Sequence, residues 1–301
     1  LRNNFKGLRG PALAALLAIP AFVGMVGLGA RPAQAEFEIQ ESEVEKGEVE
    51  VEYRGAVHWG VPKPGAEDDQ GGEEEAAGDG VLEEEDVEAG LQQSHDLEFQ
   101  YGLTDRVMFS TTLITEEPVG DNYDLSGVEL EGQYELVERE GDGLGLAFIG
   151  AYGFATRSGE ADEIEFGPIV ELASGPVLLT FNPFLASQVG DNRETDGLGF
   201  EYGWRAEYKV ASHWGVGVEM FGEIEDLSHS GPFDDQEHSI GPTLFYNPGD
   251  EDDDVGGEGD DDEEEIAGEP EMELYLNVGL QFGLTDMTSD TALKFQGSLS
   301  F

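Results

Sequence analysis

The chain closes on a run that changes character at every residue. In Asp290-Thr-Ala-Leu-Lys-Phe-Gln-Gly-Ser-Leu-Ser-Phe301, Leu293, Phe295, Gly297, Leu299 and Phe301 alternate with Lys294, Gln296, Ser298 and Ser300. Period-two alternation makes a strand with one apolar and one polar face. Eleven more segments repeat it, at 48–59, 96–103, 106–113, 126–137, 144–154, 163–172, 176–187, 197–209, 214–225, 237–246 and 271–284. Most are about 9–11 residues or slightly longer, the span of a tilted membrane strand. The cleanest sets Leu198, Phe200, Tyr202, Trp204, Ala206 and Tyr208 against Gly199, Glu201, Gly203, Arg205, Glu207 and Lys209. Ile149 breaks the pattern in its segment. Pro168 and Pro183 lie inside two others, where a missing N–H predicts a bulge; Pro242 is a third blemish.

The other end of the chain carries a different signal. Arg2, Lys6 and Arg9 precede an apolar run from Ala12 to Ala30, followed by Ala33-Gln34-Ala35. A charged n-region, an h-region and an A-x-A site predict an export signal, residues 1–35, removed after Ala35. Pro20 and several glycines weaken the run as a retained spanning helix, and no later stretch reaches the roughly 20 apolar residues that one needs. There is no cysteine, so disulfides, thiolate metal sites and a Cys nucleophile are excluded.

Charge is the second constraint. Lys plus Arg total 14 against 67 Asp plus Glu, a formal charge of −53. Four of the bases leave with the signal, so the mature chain carries 10 − 67 = −57. Nucleic acid is excluded as a partner by repulsion. Stretch 67–88 holds 12 carboxylates and 250–269 holds 13, yet 42 acids remain outside them. Such a chain-wide excess suits a halophilic source, where salt screens self-repulsion. The acidic loops 61–93 and 248–269 are poor in apolar residues, and disorder is expected in them.

Period alone does not separate a membrane barrel from a soluble sandwich, whose apolar faces meet in a dry core. The export signal, twelve similar spans and outward aromatics near strand ends (Trp59, Tyr208, Trp214, Tyr246) select the barrel. With export signal and terminal Phe in place, the chain resembles the outer-membrane β-barrel proteins of Gram-negative bacteria. The resemblance implies an all-β fold: one transmembrane antiparallel barrel of about 12 strands over 36–301, in the bacterial outer membrane. It also implies lipid and the barrel-assembly machinery as partners, with Phe295, Leu299 and Phe301 as the assembly signal. An even strand count returns both termini to the periplasm, which makes the loops after odd strands extracellular. The long stretch 247–270 breaks the rule that the opposite turns are short.

By strand parity Glu50, Glu52, Glu98, Glu129, Glu131, Glu135, Glu165, Glu201, Glu207, Glu219, Glu223, Glu271 and Glu273 face the lumen, opposed by Arg54, Arg205, Lys209 and Lys294. A carboxylate-rich polar wall predicts a channel for small solutes that favours cations. The alternative is a narrow, closed barrel filled by Glu–Arg ladders, with acidic loops that bind cations or partners, since twelve strands lie between filled barrels and open porins.

A third reading, a membrane-embedded lipid hydrolase, needs a Ser–His pair on one strand face. His58, His95, His213, His229 and His238 offer none, so no catalytic residue is assigned and the chain is not expected to be an enzyme. No metal site or cofactor is expected either. Gly256-Gly-Glu-Gly-Asp-Asp261 matches a calcium-roll turn only once, and such rolls need stacked copies.

Three local signatures narrow the resemblance: Val44-Glu-Lys-Gly-Glu-Val-Glu-Val-Glu-Tyr-Arg54, Phe99-Gln-Tyr-Gly-Leu-Thr-Asp-Arg106 and Phe282-Gly-Leu-Thr-Asp-Met-Thr-Ser-Asp-Thr-Ala-Leu-Lys294. They resemble the exported transporter barrels grouped with phenol meta-pathway outer-membrane proteins. That family implies passive passage of small, often apolar molecules and no catalytic residues; the long acidic insertions depart from it. The oligomeric state is not specified by any of these features.

The terminal alternation generates a first prediction. Deleting Phe301 lowers barrel insertion without altering export, because the assembly signal is lost while the leader remains. Membrane-fraction yield at matched expression is the check; an unchanged yield contradicts it.

Overall fold

The computed structural model describes residues 37–61, 90–118, 122–193, 195–248 and 272–301. The signal segment, Glu271 and most of the two acidic loops lie outside these residues. Twelve strands follow in chain order: β1 (Val49–Val61), β2 (Gly90–Thr104), β3 (Val107–Glu117), β4 (Asp124–Val137), β5 (Gly143–Ala155), β6 (Asp162–Ser174), β7 (Val177–Val189), β8 (Gly199–Ala211), β9 (Trp214–Ile224), β10 (Glu237–Tyr246), β11 (Glu273–Gly283) and β12 (Thr291–Ser300). Every strand pairs antiparallel with its sequence neighbour, and β1 pairs with β12, closing the barrel. Closure leaves no unpaired edge, which a lipid environment requires. β2 starts six residues earlier than the periodicity indicates, at Gly90, so 90–93 belong to the wall rather than to an acidic loop.

The inside-out burial follows from the alternation. Phe99, Leu130, Phe148, Phe181, Val218, Val278 and Phe282 are 40–50% exposed on the outer wall, while Glu98, Glu171, Glu219 and Gln281 on the inner wall are 1–2% exposed. A water-soluble domain could not leave such a continuous apolar band bare. Tyr101, Tyr208, Trp214 and Tyr246 lie at the short-turn end, where the Trp214 and Tyr246 rings stand 4.6 Å apart. Trp59 lies at the opposite, loop end.

The bulges expected at Pro168 and Pro183 are absent. The β6–β7 ladder runs to Phe166↔Leu185 and resumes at Val170↔Phe181 in unchanged register. That register sets Pro168 directly opposite Pro183, so one gap accommodates both missing donors. Gly167 permits it, since a Cβ there would sit 2.4 Å from the Pro183 carbonyl oxygen. Around Pro242 the β10–β11 ladder likewise skips from Ile240↔Phe282 to Thr243↔Gly279 without a shift. Register shifts occur instead toward strand ends, at Trp59/Val61, Gly102/Thr104, Ile114/Thr115, Glu135/Val137 and Lys209/Ala211.

Ile149, the misfit of its segment, faces inward. It packs with Ala147, Ile169 and Phe184 in a small apolar cluster on the inner wall of β5–β7. The wall is therefore polar in most places rather than everywhere.

Val278, at the middle of β11 on the outer face, provides the test of this arrangement. Val278→Arg should cost about 2–4 kcal/mol if it lies at the bilayer midplane. Glu273→Arg, at the exposed rim of the same strand, should cost about 1 kcal/mol or less. Urea unfolding midpoints in lipid vesicles compare the two, and equal costs would refute the assigned faces.

Candidate functional site: the occupied lumen

All of the sequence-assigned lumen glutamates except Glu271 fall among the described residues, and the ladders put them on the inner face. Glu52 pairs with Glu98, Glu201 with Glu223, and Glu219 with Arg205. Glu273 shares that face but is exposed at the turn-end mouth, and Glu50 is half-buried nearby. The glutamates do not face an empty channel. Residues 37–48, which carry no regular strand, run through the lumen.

The entry is built by two glycines from the sequence signatures. Gly47 has a φ of 88°, the left-handed region that glycine tolerates. It donates its N–H to the Gly102 carbonyl at 2.7 Å, and Gly102 donates to the Glu48 carbonyl at 3.0 Å. A Cβ on Gly102 would lie 1.7 Å from the Glu45 carbonyl oxygen, so no other residue fits that crossing. The chain thus turns inward at the short-turn end of β1 and β2.

Several residues of the segment find partners on the surrounding strands. Ser42 donates its N–H to Glu171 at 3.1 Å and also bonds that carboxylate through its hydroxyl. Gln133 donates to the Glu41 carbonyl at 3.0 Å. Asn182 clamps Gln40 both ways, its Oδ1 accepting the backbone N–H at 2.7 Å and its Nδ2 donating to the carbonyl at 3.1 Å. That is the bonding a neighbouring strand would give. The Gln40 side chain donates to Glu131 at 3.2 Å. Phe37 stacks on His58 with ring centroids 5.4 Å apart and meets Phe221 edge-on at 5.1 Å.

Three buried cations fix the charge pattern. Arg54 Nη1 lies 2.8 Å from Glu38, 2.6 Å from Glu52 and 2.7 Å from Glu98, with Asp96 at 3.9 Å from Nε. Arg205 holds Glu41 at 2.5 Å, donates to the Tyr275 hydroxyl at 3.0 Å and stands 5.4 Å from the Phe245 ring centroid. Lys294 pairs with Glu219 and lies 5.1 Å from the Phe221 ring. Arg54 and Arg205 therefore each bridge the wall to the inserted segment, and Arg139 adds a weaker bridge between Glu43 and Glu171 at 3.9 and 3.7 Å.

Of the residues named from parity, Glu52, Arg54, Glu98, Glu131, Arg205, Glu219 and Lys294 are brought together in these contacts. Sequence parity did not name Asp96, Glu171 and Asn182, which were legible as inward positions of their strands. It also missed the segment that they hold. Residues 37–44 lack a long alternation, and nothing local states that they lie inside a barrel.

The histidines build no relay among the described residues. Asp226 and Ser228 both contact Nδ1 of His229, at 3.0 and 2.9 Å, whereas a nucleophile relay needs opposite ring nitrogens. His58 meets Ser289 at 2.9 Å, inside the loop end.

Comparison with known proteins adds the fold. No family model matches the chain, and no curated protein does. Among solved structures, an outer membrane channel from Pseudomonas putida F1 is similar at 10% identity with a TM-score of 0.50, over 89% of this chain and 99% of that one. The NanC porin aligns at 9% identity and a TM-score of 0.44, over 83% of this chain and 98% of that one. A KdgM porin in complex with disordered oligogalacturonate aligns at 8% and 0.42, over 84% and 98%. The Pseudomonas putida F1 channel and this molecule thus share a closed β-barrel fold.

Arg54 is the residue on which the lumen's charge balance turns. Arg54→Met leaves Glu38, Glu52, Asp96 and Glu98 without their shared cation and is expected to cost about 3–5 kcal/mol. Glu38→Gln, which removes one acceptor at an interaction the wall can spare, is expected to cost much less. Urea midpoints of the folded barrel in detergent measure both.

Proposed function

We propose that the protein is an outer-membrane channel through which small solutes pass passively, exported by a leader removed after Ala35. The observation that carries this reading is the wall itself: a closed barrel, greasy outside, whose inner face is dominated by carboxylates. Such a wall favours cations over anions entering from either mouth. Of the lumen cations, Arg54, Arg205 and Lys294 are each engaged by carboxylates. Glu129, Glu165, Glu201 and Glu223 lie toward the loop end of their strands, the end that an even strand count with both termini in the periplasm would make extracellular. The inserted segment 37–48 narrows the path and makes conductance small. The family resemblance to phenol meta-pathway barrels belongs to this proposal too, with the solute class left to measurement.

The second reading, a closed structural barrel, is favoured by one observation, the threading of 37–44 past mid-lumen. Single-channel recording in planar bilayers separates the two. The channel reading expects small, discrete, cation-preferring steps from the full mature chain. It expects several-fold larger steps when residues 37–46 are deleted from protein refolded without residues 1–35. Replacing Glu129, Glu131, Glu201 and Glu207 together by Gln should shift the reversal potential in a KCl gradient toward zero. Silence of the full chain supports the closed barrel, and unchanged selectivity in the quadruple variant would place the selective charge elsewhere.

A further inference from the structure

The lumen grips residues 40–42 by their backbone. Asn182 accepts the Gln40 N–H at 2.7 Å and donates to its carbonyl at 3.1 Å, Gln133 donates to the Glu41 carbonyl at 3.0 Å, and Glu171 accepts the Ser42 N–H at 3.1 Å. None of these bonds involves a side chain of the segment. Asn182, Gln133 and Glu171 are 1–2% exposed and come from β7, β4 and β6. Between them the floor is apolar or bare: Ile149 lies beside Gln133, Gly145 beside Glu171, and Ala147 beside Ile169. Glycines carve the path. A Cβ on Gly145 would collide with the Ser42 hydroxyl, and one on Gly203 would meet the Glu38 carbonyl oxygen at 3.1 Å. The segment does not exhaust the wall. Gln133 Oε1 and Thr180 Oγ1, on side chains 2% exposed, have no hydrogen-bond partner, and the register sets Thr180 opposite Glu171.

Side chains that meet successive N–H and C=O groups, and leave the side chains between them unread, recognise an extended peptide whatever its sequence. We propose that this row is a binding site for short extended peptides, and that residues 40–42 are its tethered occupant. The inference rests on the channel reading above and names a solute class for it. An incoming peptide sets its own amides against Asn182, Gln133 and Glu171, and its amino-terminal ammonium suits a wall rich in carboxylates. The apolar floor of Ala147, Ile149, Ile169 and Phe184 accepts small or apolar side chains.

The segment adds to these bonds what a free peptide lacks. Glu38 pairs with Arg54 at 2.8 Å, Glu41 with Arg205 at 2.5 Å, and Glu43 with Arg139 at 3.9 Å. Its attachment at the Gly47 turn also keeps it close, and a short tether corresponds to an effective concentration in the millimolar range. A peptide without those carboxylates therefore competes only at millimolar concentration or above, and below that the segment keeps the site filled.

The chain has no cysteine, so Ile39→Cys, at a position 7% exposed, places a single reporter on the segment. Its rate of reaction with N-ethylmaleimide in the folded barrel is read with and without Ala-Ala-Ala amide. The isomeric Sar-Sar-Sar amide, of the same formula and charge but without N–H groups between its residues, is the control. The expected result is at least fivefold faster labelling with the alanine peptide, half-complete at about 1–50 mM, and less than a twofold change with the isomer. Asn182→Leu labels fast without peptide and loses the peptide response. Val44→Cys, also 7% exposed, takes the reporter's place should Ile39→Cys fail the heat-modifiability assay for a folded barrel. Labelling that the alanine peptide leaves unchanged overturns the inference, and equal acceleration by both isomers overturns the backbone reading on which it rests. Single-channel recording on the same protein keeps the two proposals apart. Cation-preferring steps with no peptide response sink the peptide site alone, whereas a peptide response from a silent barrel upholds the site and sinks the channel.

Discussion

The pairing of β1 with β12 is the contact on which the rest of this molecule depends. Ten register pairs, from Glu50↔Ser300 to Trp59↔Thr291, convert an open sheet into a tube. Each backbone donor and acceptor along that seam would otherwise face hydrocarbon, where an unmet polar group costs several kcal/mol. Val49 and Phe301 extend the seam past the last strand residue, exchanging both backbone bonds at 2.9 and 3.0 Å. Phe295 folds over Gly55 across it; a Cβ at Gly55 would come within 2.4 Å of the Phe295 ring. The closing strand and the first strand are thus shaped to each other by one small residue and one large one.

Closure creates the second problem, a confined interior lined with acid. Carboxylates taken out of bulk water need cations or donors close by, since desolvation is expensive and screening by salt is weak inside. The molecule meets this with few bases, each used several times. Arg54 serves Glu38, Glu52 and Glu98, and Arg205 reaches Glu41 and Tyr275 while its face rests on Phe245. Because Glu38 and Glu41 belong to the inserted segment, the charges that settle the wall also retain the segment. Width and charge of the lumen are consequently coupled: loosening one disturbs the other.

Surface charge has a different physical status. Arg157 at the loop end gathers Glu116 at 2.7 Å as well as Asp124, and Asp226 is held well below the usual carboxylate range by hydrogen bonds from Ser228 and His229. Among these ionisable groups only His229 is open to water, where salt screens charge and pairing is worth little, whereas Arg157 and Glu116 are mostly buried at the loop end. In the proposed channel it is the inward-facing portion of the acid that would act on a passing solute.

The sequence by itself determined the wall. Strict alternation decides which residues face lipid and which face inward, because the side-chain period of a strand is two and a slip by one would turn every apolar residue inward. That is why Leu276, Val278 and Leu280, or Trp204 and Ala206, were assignable without coordinates, and Arg54, Glu98 and Lys294 with them. Local pattern was silent wherever a residue's role depends on what lies across the barrel. Pro168 and Pro183 look like two separate defects along the chain and become one only because the register sets them opposite each other. Ile149 looks like an error until Ile169 and Phe184 arrive beside it from the next two strands. Gly102 reads as part of a turn signature, yet its need for no Cβ comes from the Glu45 carbonyl, a residue from before the first strand. Above all, residues 37–44 carry too short and too weak a pattern to declare themselves. Their place inside the lumen follows from contacts with β1, β4, β6, β7, β8 and β9, which no window of sequence contains and which exist only once the tube has closed.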